Sequence, residues 1–272
     1  MSAAYRPVGV FDSGVGGLTV VRKIAETLPC EDLLYLGDTA RVPYGNKSPE
    51  TVRRYALRIA DRLCREGAKA LVVACNTASA YAIDAIRERH HELAVIDVVA
   101  PVARVAAAST RTGHIGVIGT RGTVASGAYE RALQEIAPDV RVTAAACPLF
   151  VPLAEEGWTA GDIPRQVAEL YLRAFAQSDI DTLILGCTHY PLLGGVIAEV
   201  ISTVVGSAVT VLDSASATAA HLATTLRARA ELASNGKVGE KRFWMTDVSP
   251  AFLSACDRFF GAHVEAVAHV DL

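Results

Sequence analysis

The sequence predicts an α/β protein with largely parallel sheets flanked by helices. Three observations carry that class. Short apolar runs alternate with amphipathic helical stretches along the whole chain, the pattern of repeated strand–helix units. The run "KALVVAC" at residues 69–75 is nearly continuously apolar, the mark of a strand covered on both faces. The chain also echoes itself. "VGVFDSGVGG" and "IGVIGTRGTV" place Gly9 and Gly116 107 residues apart, while "VVACNTAS" and "LILGCTHY" place Cys75 and Cys187 112 apart. Two motif pairs at nearly one offset point to two similar halves.

The elements follow in order. "VGVFD" reads as a strand, "LTVVRKIAETL" as an amphipathic helix and "DLLYLGDT" as a second strand. A strong helix spans residues 48–67, with Ser48 as cap, Pro49 at the first helical position and Gly67 at the end. Val52, Tyr55, Ile59 and Leu63 give it one buried face. After the strand at 69–75 come a helix at 80–90 and an extended segment at 94–99. The alternation resumes with a strand at 114–120, a helix at 124–136 and a strand at 140–147. A helix at 163–178 has Asp162 as its expected cap, and "DTLILGC" is the next strand. A helix at 192–202, a strand at 208–213 and a long helix at 216–233 follow. The surface loop "ASNGKVGEK" then leads into a strand at 241–247, a helix at 250–260 and a strand at 263–270.

With 272 residues the chain can bury a substantial core as one large or two modest domains. A hydrophobic share of 51% and a charged share of 20% fit an ordinary globular protein. The net charge of −3 gives no footprint for a nucleic-acid groove or a membrane-binding face. The N-terminal stretch lacks the pattern of a secretory signal, and no apolar run is long enough to span a bilayer. The expected location is the cytoplasm.

A reducing compartment argues against disulfides among the six cysteines, and no C-x-x-C pair suggests zinc or a redox motif. Cys64 and Cys256 read as small buried hydrophobes, Cys147 as a packing residue and Cys30 as a loop position. Cys75 and Cys187 differ. Each ends a strand and precedes small polar residues and a helix. Open α/β sheets bind ligands at the carboxyl ends of their strands. A helix N-terminus there offers free N–H groups to a carboxylate and favours a thiolate. Either cysteine alone is most simply structural; the matched pair points to acid/base or nucleophilic chemistry.

Other motifs are weaker by themselves. "DSGVGG" at residues 12–17 is neither G-x-G-x-x-G nor a P-loop. It is an anion-binding turn, or a tight turn capped by Asp12 or Ser13. Tyr44 and Gly45 sit in "VPYGNKSP", a binding loop or mere punctuation before a helix. His189 shares a side with Cys187 if the strand stays extended, where it can assist a thiol or polarise a substrate. Glu155 and Glu156 precede a turn glycine; adjacent glutamates are usually solvated, and one can instead reach a site as an acid/base. A metal centre at Cys-Thr-His lacks two further ligands in any recognisable spacing.

Together "GVFDSGVGGLTV", "DTARVPYGNKS", "VVACNTASA", "CPLFVPLAEEG" and "LGCTHYPLL" resemble the glutamate racemase family, in its order, from residue 9 to about 194. "CNTAS" and "GCTHYP" also suit the wider aspartate/glutamate racemase superfamily, and "PYGNKS" points to glutamate. The resemblance implies two pseudo-symmetric α/β domains with the active site between them. The first would be discontinuous, residues 1–97 and 210–272; the second would cover 98–209. It implies interconversion of L- and D-glutamate without cofactor or metal, supplying D-glutamate for peptidoglycan, by a protein that is commonly a homodimer. Cys75 would take the proton from D-glutamate and Cys187 from L-glutamate, supported by Asp12 and His189 respectively. Glu155, the first of its pair, is taken as the family's glutamate. Ser13, Tyr44, Gly45, Asn76, Thr77 and Thr188 match substrate-contact positions, as do Asp12 and His189. Some family members inhibit DNA gyrase; nothing in this sequence marks a surface for that. The competing readings are a racemase of aspartate or another acidic amino acid, a binding protein, and a redox or metal-binding cysteine pair.

Overall fold

The computed structural model describes residues 3–234 and 236–272. Asn235 of the expected loop, and residues 1–2 of the stretch read as lacking a signal, lie outside them. In chain order, β1 (Val8–Asp12) leads to α1 (Leu18–Thr27), β2 (Leu33–Gly37) to α2 (Pro49–Arg65), β3 (Ala70–Val73) to α3 (Asn76–Arg89), and β4 (Ala94–Asp97) to α4 (Val99–Ser109). Next come β5 (His114–Gly119), α5 (Arg121–Ala125), α6 (Ala128–Ile136), β6 (Arg141–Ala146), α7 (Phe150–Glu155) and α8 (Asp162–Leu172). β7 (Thr182–Gly186), α9 (Gly194–Val205) and β8 (Thr210–Asp213) follow, and α10 (Ser214–Ala228), β9 (Lys241–Met245), α11 (Pro250–Phe260) and β10 (Val267–His269) close the chain.

The strands form two all-parallel sheets, ordered β10-β9-β2-β1-β3-β4 and β6-β5-β7-β8. The internal echo is written into this order, because β2-β1-β3-β4 and β6-β5-β7-β8 are the same arrangement four strands apart. It extends to register. Val8 pairs with Ala70 as Ile115 pairs with Thr182, and Phe11 with Val73 as Ile118 with Leu185. Cys75 and Cys187 therefore sit at the same point of equivalent strands. The strand β8 pairs with β7 in the second sheet, so the expected boundary at residue 210 falls one strand earlier than the pairing does.

The apolar runs are buried as expected. β1, β2, β3, β5 and β7 are buried along their whole length, whereas the edge strands β6 and β8 are half-exposed. α2 begins as its sequence dictates: Ser48 Oγ accepts from the Thr51 N–H, Pro49 takes the first position, and Gly67 follows at φ +82°. Its face is Val52, Ala56, Ile59, Ala60 and Leu63, with Tyr55 only half-buried beside it.

Several expectations needed correction. The single helix at 124–136 is two, α5 and α6, because Gly127 adopts a left-handed φ of 63° between them. The helix at 163–178 ends at Leu172 and continues only as a 3-10 turn; its cap position is Gly161, with Asp162 already helical and no side-chain cap made. The segment 94–99 was expected to be extended, yet α4 starts at Val99, its first N–H groups donating to Asp97 Oδ1. Pro101 hides this helix in the sequence but is tolerated in a first turn. The long helix stops at Ala228, and the last strand is only three residues. Cys64 is half-exposed and its Sγ lies 3.3 Å from His90 Nδ1, unlike buried Cys256 and Cys147. Among the described residues no helix is long and apolar enough to cross a membrane.

Candidate active site

The carboxyl ends of β1, β3 and β7 meet at one narrow cleft between the sheets. Its walls include Asp12, Ser13, Tyr44, Gly45, Cys75, Asn76, Thr77, Cys187, Thr188 and His189. Ten residues singled out from sequence thus line one cavity. Four lining residues were not anticipated: Val42, Pro43, Thr120 and Val151. Thr120 carried a readable signal, since the echo aligns it with Ser13. The cleft holds about 30 Å³ of free space, room for a water or two. It shares Pro43, Gly45, Thr120 and Val151 with a wider outer cavity of about 420 Å³.

Cys75 occupies the cap position of α3, which begins at Asn76, four residues earlier than the sequence suggested. Its Sγ accepts from the Ala78 N–H at 3.4 Å and donates to Ser13 Oγ at 3.7 Å. The helix end was expected to favour the thiolate. Burial wins instead: Cys75 is 5% exposed, and desolvation, then the Asp12 carboxylate, push the thiol well above its usual range against the two hydrogen bonds. Asp12 Oδ1 accepts from the Ser13 N–H and hydroxyl, and Asp12 Oδ2 accepts from Thr188 Oγ1 at 3.2 Å. The Asp12 side chain therefore meets the Cys187 segment directly and Cys75 through Ser13.

Cys187 is 6% exposed, with its Sγ 3.9 Å from His189 Nδ1. The two share a side although His189 is helical rather than extended (φ −80°, ψ −32°). His189 Nε2 lies 3.1 Å from Glu155 Oε1, and Phe259 packs edge-on against the ring. Glu155 is thus the glutamate brought to the site from α7; Glu156 is exposed. Burial disfavours the charged ring, but the hydrogen bonds to Cys187 and Glu155 outweigh it and hold His189 up to about 10.

The remaining residues divide. Tyr44 is buried and its hydroxyl donates to Asp38 Oδ2, so that O–H is already engaged. Gly45 fits under Thr120, where a β-carbon would come within 2.7 Å of the Thr120 side chain. Thr77 Oγ1 lies 3.0 Å from Thr120 Oγ1 and 3.2 Å from Thr123 Oγ1, joining α3 to α5. The glycines of "DSGVGG" serve close approach. A β-carbon on Gly16 would run into Thr188 Oγ1 and the His189 ring. Neither Asp12 nor Ser13 caps α1, whose cap position is Gly17. Among the described residues no cluster of His, Cys, Asp and Glu is arranged to hold a metal ion.

The raised His189 gives a pH prediction. The folded state holds its imidazolium proton more tightly than the unfolded chain, whose histidine titrates near 6.5. That stabilisation is complete below about pH 6.5 and is lost as pH rises through about 10. The raised Cys75 thiol acts with the same sign above the ordinary thiol value of 9.0. Urea midpoints are expected to fall from pH 6 to pH 10, and less steeply in His189→Gln. Equal slopes in the two proteins would refute the assignment.

Residues 8–222 match the family model Asp/Glu/Hydantoin racemase. A glutamate racemase from Geobacter metallireducens is 49% identical over 98% of this chain and 97% of its own. A glutamate racemase from Francisella tularensis, solved in complex with D-glutamate, superposes at a TM-score of 0.92 with 36% identity and 98% of each chain covered. A Bacillus anthracis glutamate racemase gives 0.93 and 40%, covering 99% of this chain and 98% of its own. On the family model across residues 8–222 and on relatives matched over nearly their full length, this chain belongs to the Asp/Glu/hydantoin racemase family of isomerases.

Proposed function

We propose that the chain is a cofactor-independent glutamate racemase in which Cys75 and Cys187 are paired acid/bases. The observation that carries this reading is the delivery of two buried thiols to one cleft from equivalent strands of two sheets. Inversion requires a proton to leave one face of the α-carbon and another to arrive on the opposite face. One fixed base reaches one face only; two groups on opposing walls reach both. In one direction the Cys75 thiolate removes the α-proton of D-glutamate and the Cys187 thiol protonates the other face; the reverse converts L-glutamate.

The surroundings support different tasks. An imidazolium at His189, backed by Glu155, is a counter-ion for a thiolate at Cys187. Cys75 rests as a thiol because it is buried beside Asp12; the substrate ammonium would offset that carboxylate and ease ionisation. A thiol with a raised pKa is also a stronger base once ionised. The α-proton is very weakly acidic, so donors fixed around the cleft, including Thr77, Thr188 and Asn76, would stabilise the carboxylates as charge develops.

The reading carries a division into two domains, residues 98–213 around the second sheet and the rest around the first. It also carries a homodimer and a cytoplasmic role in supplying D-glutamate for peptidoglycan. Its test is incubation with each glutamate enantiomer separately, without added cofactor, followed by chiral separation. Both reactions are expected to converge on an equal mixture, with kcat/KM for aspartate lower by about 100-fold or more. Equal kcat/KM for the two substrates would replace glutamate with acidic amino acids in general.

A further inference from the structure

Tyr129, on α6, is fully buried. Its hydroxyl donates to Asn76 Oδ1 at 2.7 Å. Its ring packs on Gly186, where a β-carbon would come within 2.9 Å of Cε2. Tyr129 thus touches the residue after Cys75 and the residue before Cys187. The other end of the Asn76 amide, Nδ2, is buried and has no hydrogen-bond partner. A buried donor left unpaired is costly and rare, and this one belongs to a residue lining the cleft.

We propose that Tyr129 is a positioning residue: by occupying Asn76 Oδ1 it fixes the amide so that Nδ2 is presented as a donor to a substrate carboxylate oxygen. The inference rests on the racemase reading above. An amide has one acceptor end and one donor end. A flipped amide could still donate to the phenol oxygen, but it would turn Oδ1 toward the cleft, an acceptor that a carboxylate oxygen cannot pair with; the phenol proton matches the orientation that leaves Nδ2 for the carboxylate. Gly186 leaves space for the ring. The assignment also explains why a tyrosine, rather than phenylalanine, is buried between the two cysteine segments.

The test is a double-mutant cycle on kcat/KM for glutamate with wild type, Tyr129→Phe, Asn76→Ala and the double variant, each checked for its melting temperature. Tyr129→Phe keeps the ring on Gly186. It is expected to raise KM about tenfold while kcat falls less than about threefold. In the Asn76→Ala background the same change is expected to add nothing, because the residue it acts through is gone. A Tyr129→Phe variant with wild-type KM, or single effects that simply multiply in the double variant, would overturn the proposal. A wild-type enzyme silent toward glutamate would instead overturn the substrate reading, and this inference with it. If Tyr129→Phe fails to fold, Asn76→Asp, which keeps an acceptor for the phenol and removes the donor, is expected to raise KM about tenfold, and an unchanged KM there overturns the proposal equally.

Discussion

Cys75→Ala and Cys187→Ala are each expected to lose racemisation by at least about 10³-fold while keeping the wild-type fold. Alanine exchanges no proton, and neither thiol can stand in for the other because each is fixed on its own strand end. Both side chains are buried in the apolar core, yet each variant loses only one Sγ, so the melting temperature should fall by only a few degrees. In heavy water, the variant keeping Cys187 retains a base for the α-proton of L-glutamate. The variant keeping Cys75 retains one for D-glutamate. Slow exchange without inversion would report those half-reactions. Substantial racemisation by either folded variant, measured by chiral separation, would show that one thiol is dispensable and would end the two-base reading.

The second large effect is on stability. Lys69 and Glu31 form an ion pair in which both side chains are only 1% exposed. Lys69 Nζ also donates to the carbonyls of Ala4 and Glu231, while Glu31 Oε1 accepts from the Ala233 N–H. The pair ties together the N-terminal segment, the turn before β2, the start of β3 and the segment after α10. Lys69→Met would leave a carboxylate buried with one donor, which costs about 3–5 kcal/mol, or roughly 10 °C in melting temperature. Glu31→Gln/Lys69→Met should recover part of that, because the charge goes with its partner. The change lies at the amino end of β3, away from Cys75, so activity per folded molecule should hold. A single variant within about 1 kcal/mol of wild type would mean that the carboxylate is solvated or neutralised.

The thiol pair is legible in the sequence because two local facts suffice: apolar strands end at Cys75 and Cys187, and parallel sheets put function at that end. The capping of α2 is equally local, fixed by Ser48 and Pro49. What escaped needed long-range knowledge. The helix α4 hid behind Pro101, and the break between α5 and α6 depended on the backbone of Gly127. The sense of the Cys75 shift depended on burial beside Asp12, which outweighs the helix end that the sequence does display. Resemblance alone points to Glu155, but its contact with His189 depends on where α7 points its last turn, and Tyr129 meets Asn76 only through the fold.

The two thiols keep unequal company: Ser13 and the Asp12 carboxylate near Cys75, His189 and Glu155 near Cys187. For a racemase, thermodynamics limits what that inequality can do. Mirror-image amino acids have the same free energy in water, so their equilibrium constant is one. The Haldane relation then makes kcat/KM identical in the two directions, however lopsided the catalyst. The imidazolium beside one sulfur and the carboxylate beside the other can alter only how that shared value divides between turnover and saturation. One enantiomer would be held tightly and turned over slowly, the other held loosely and turned over fast.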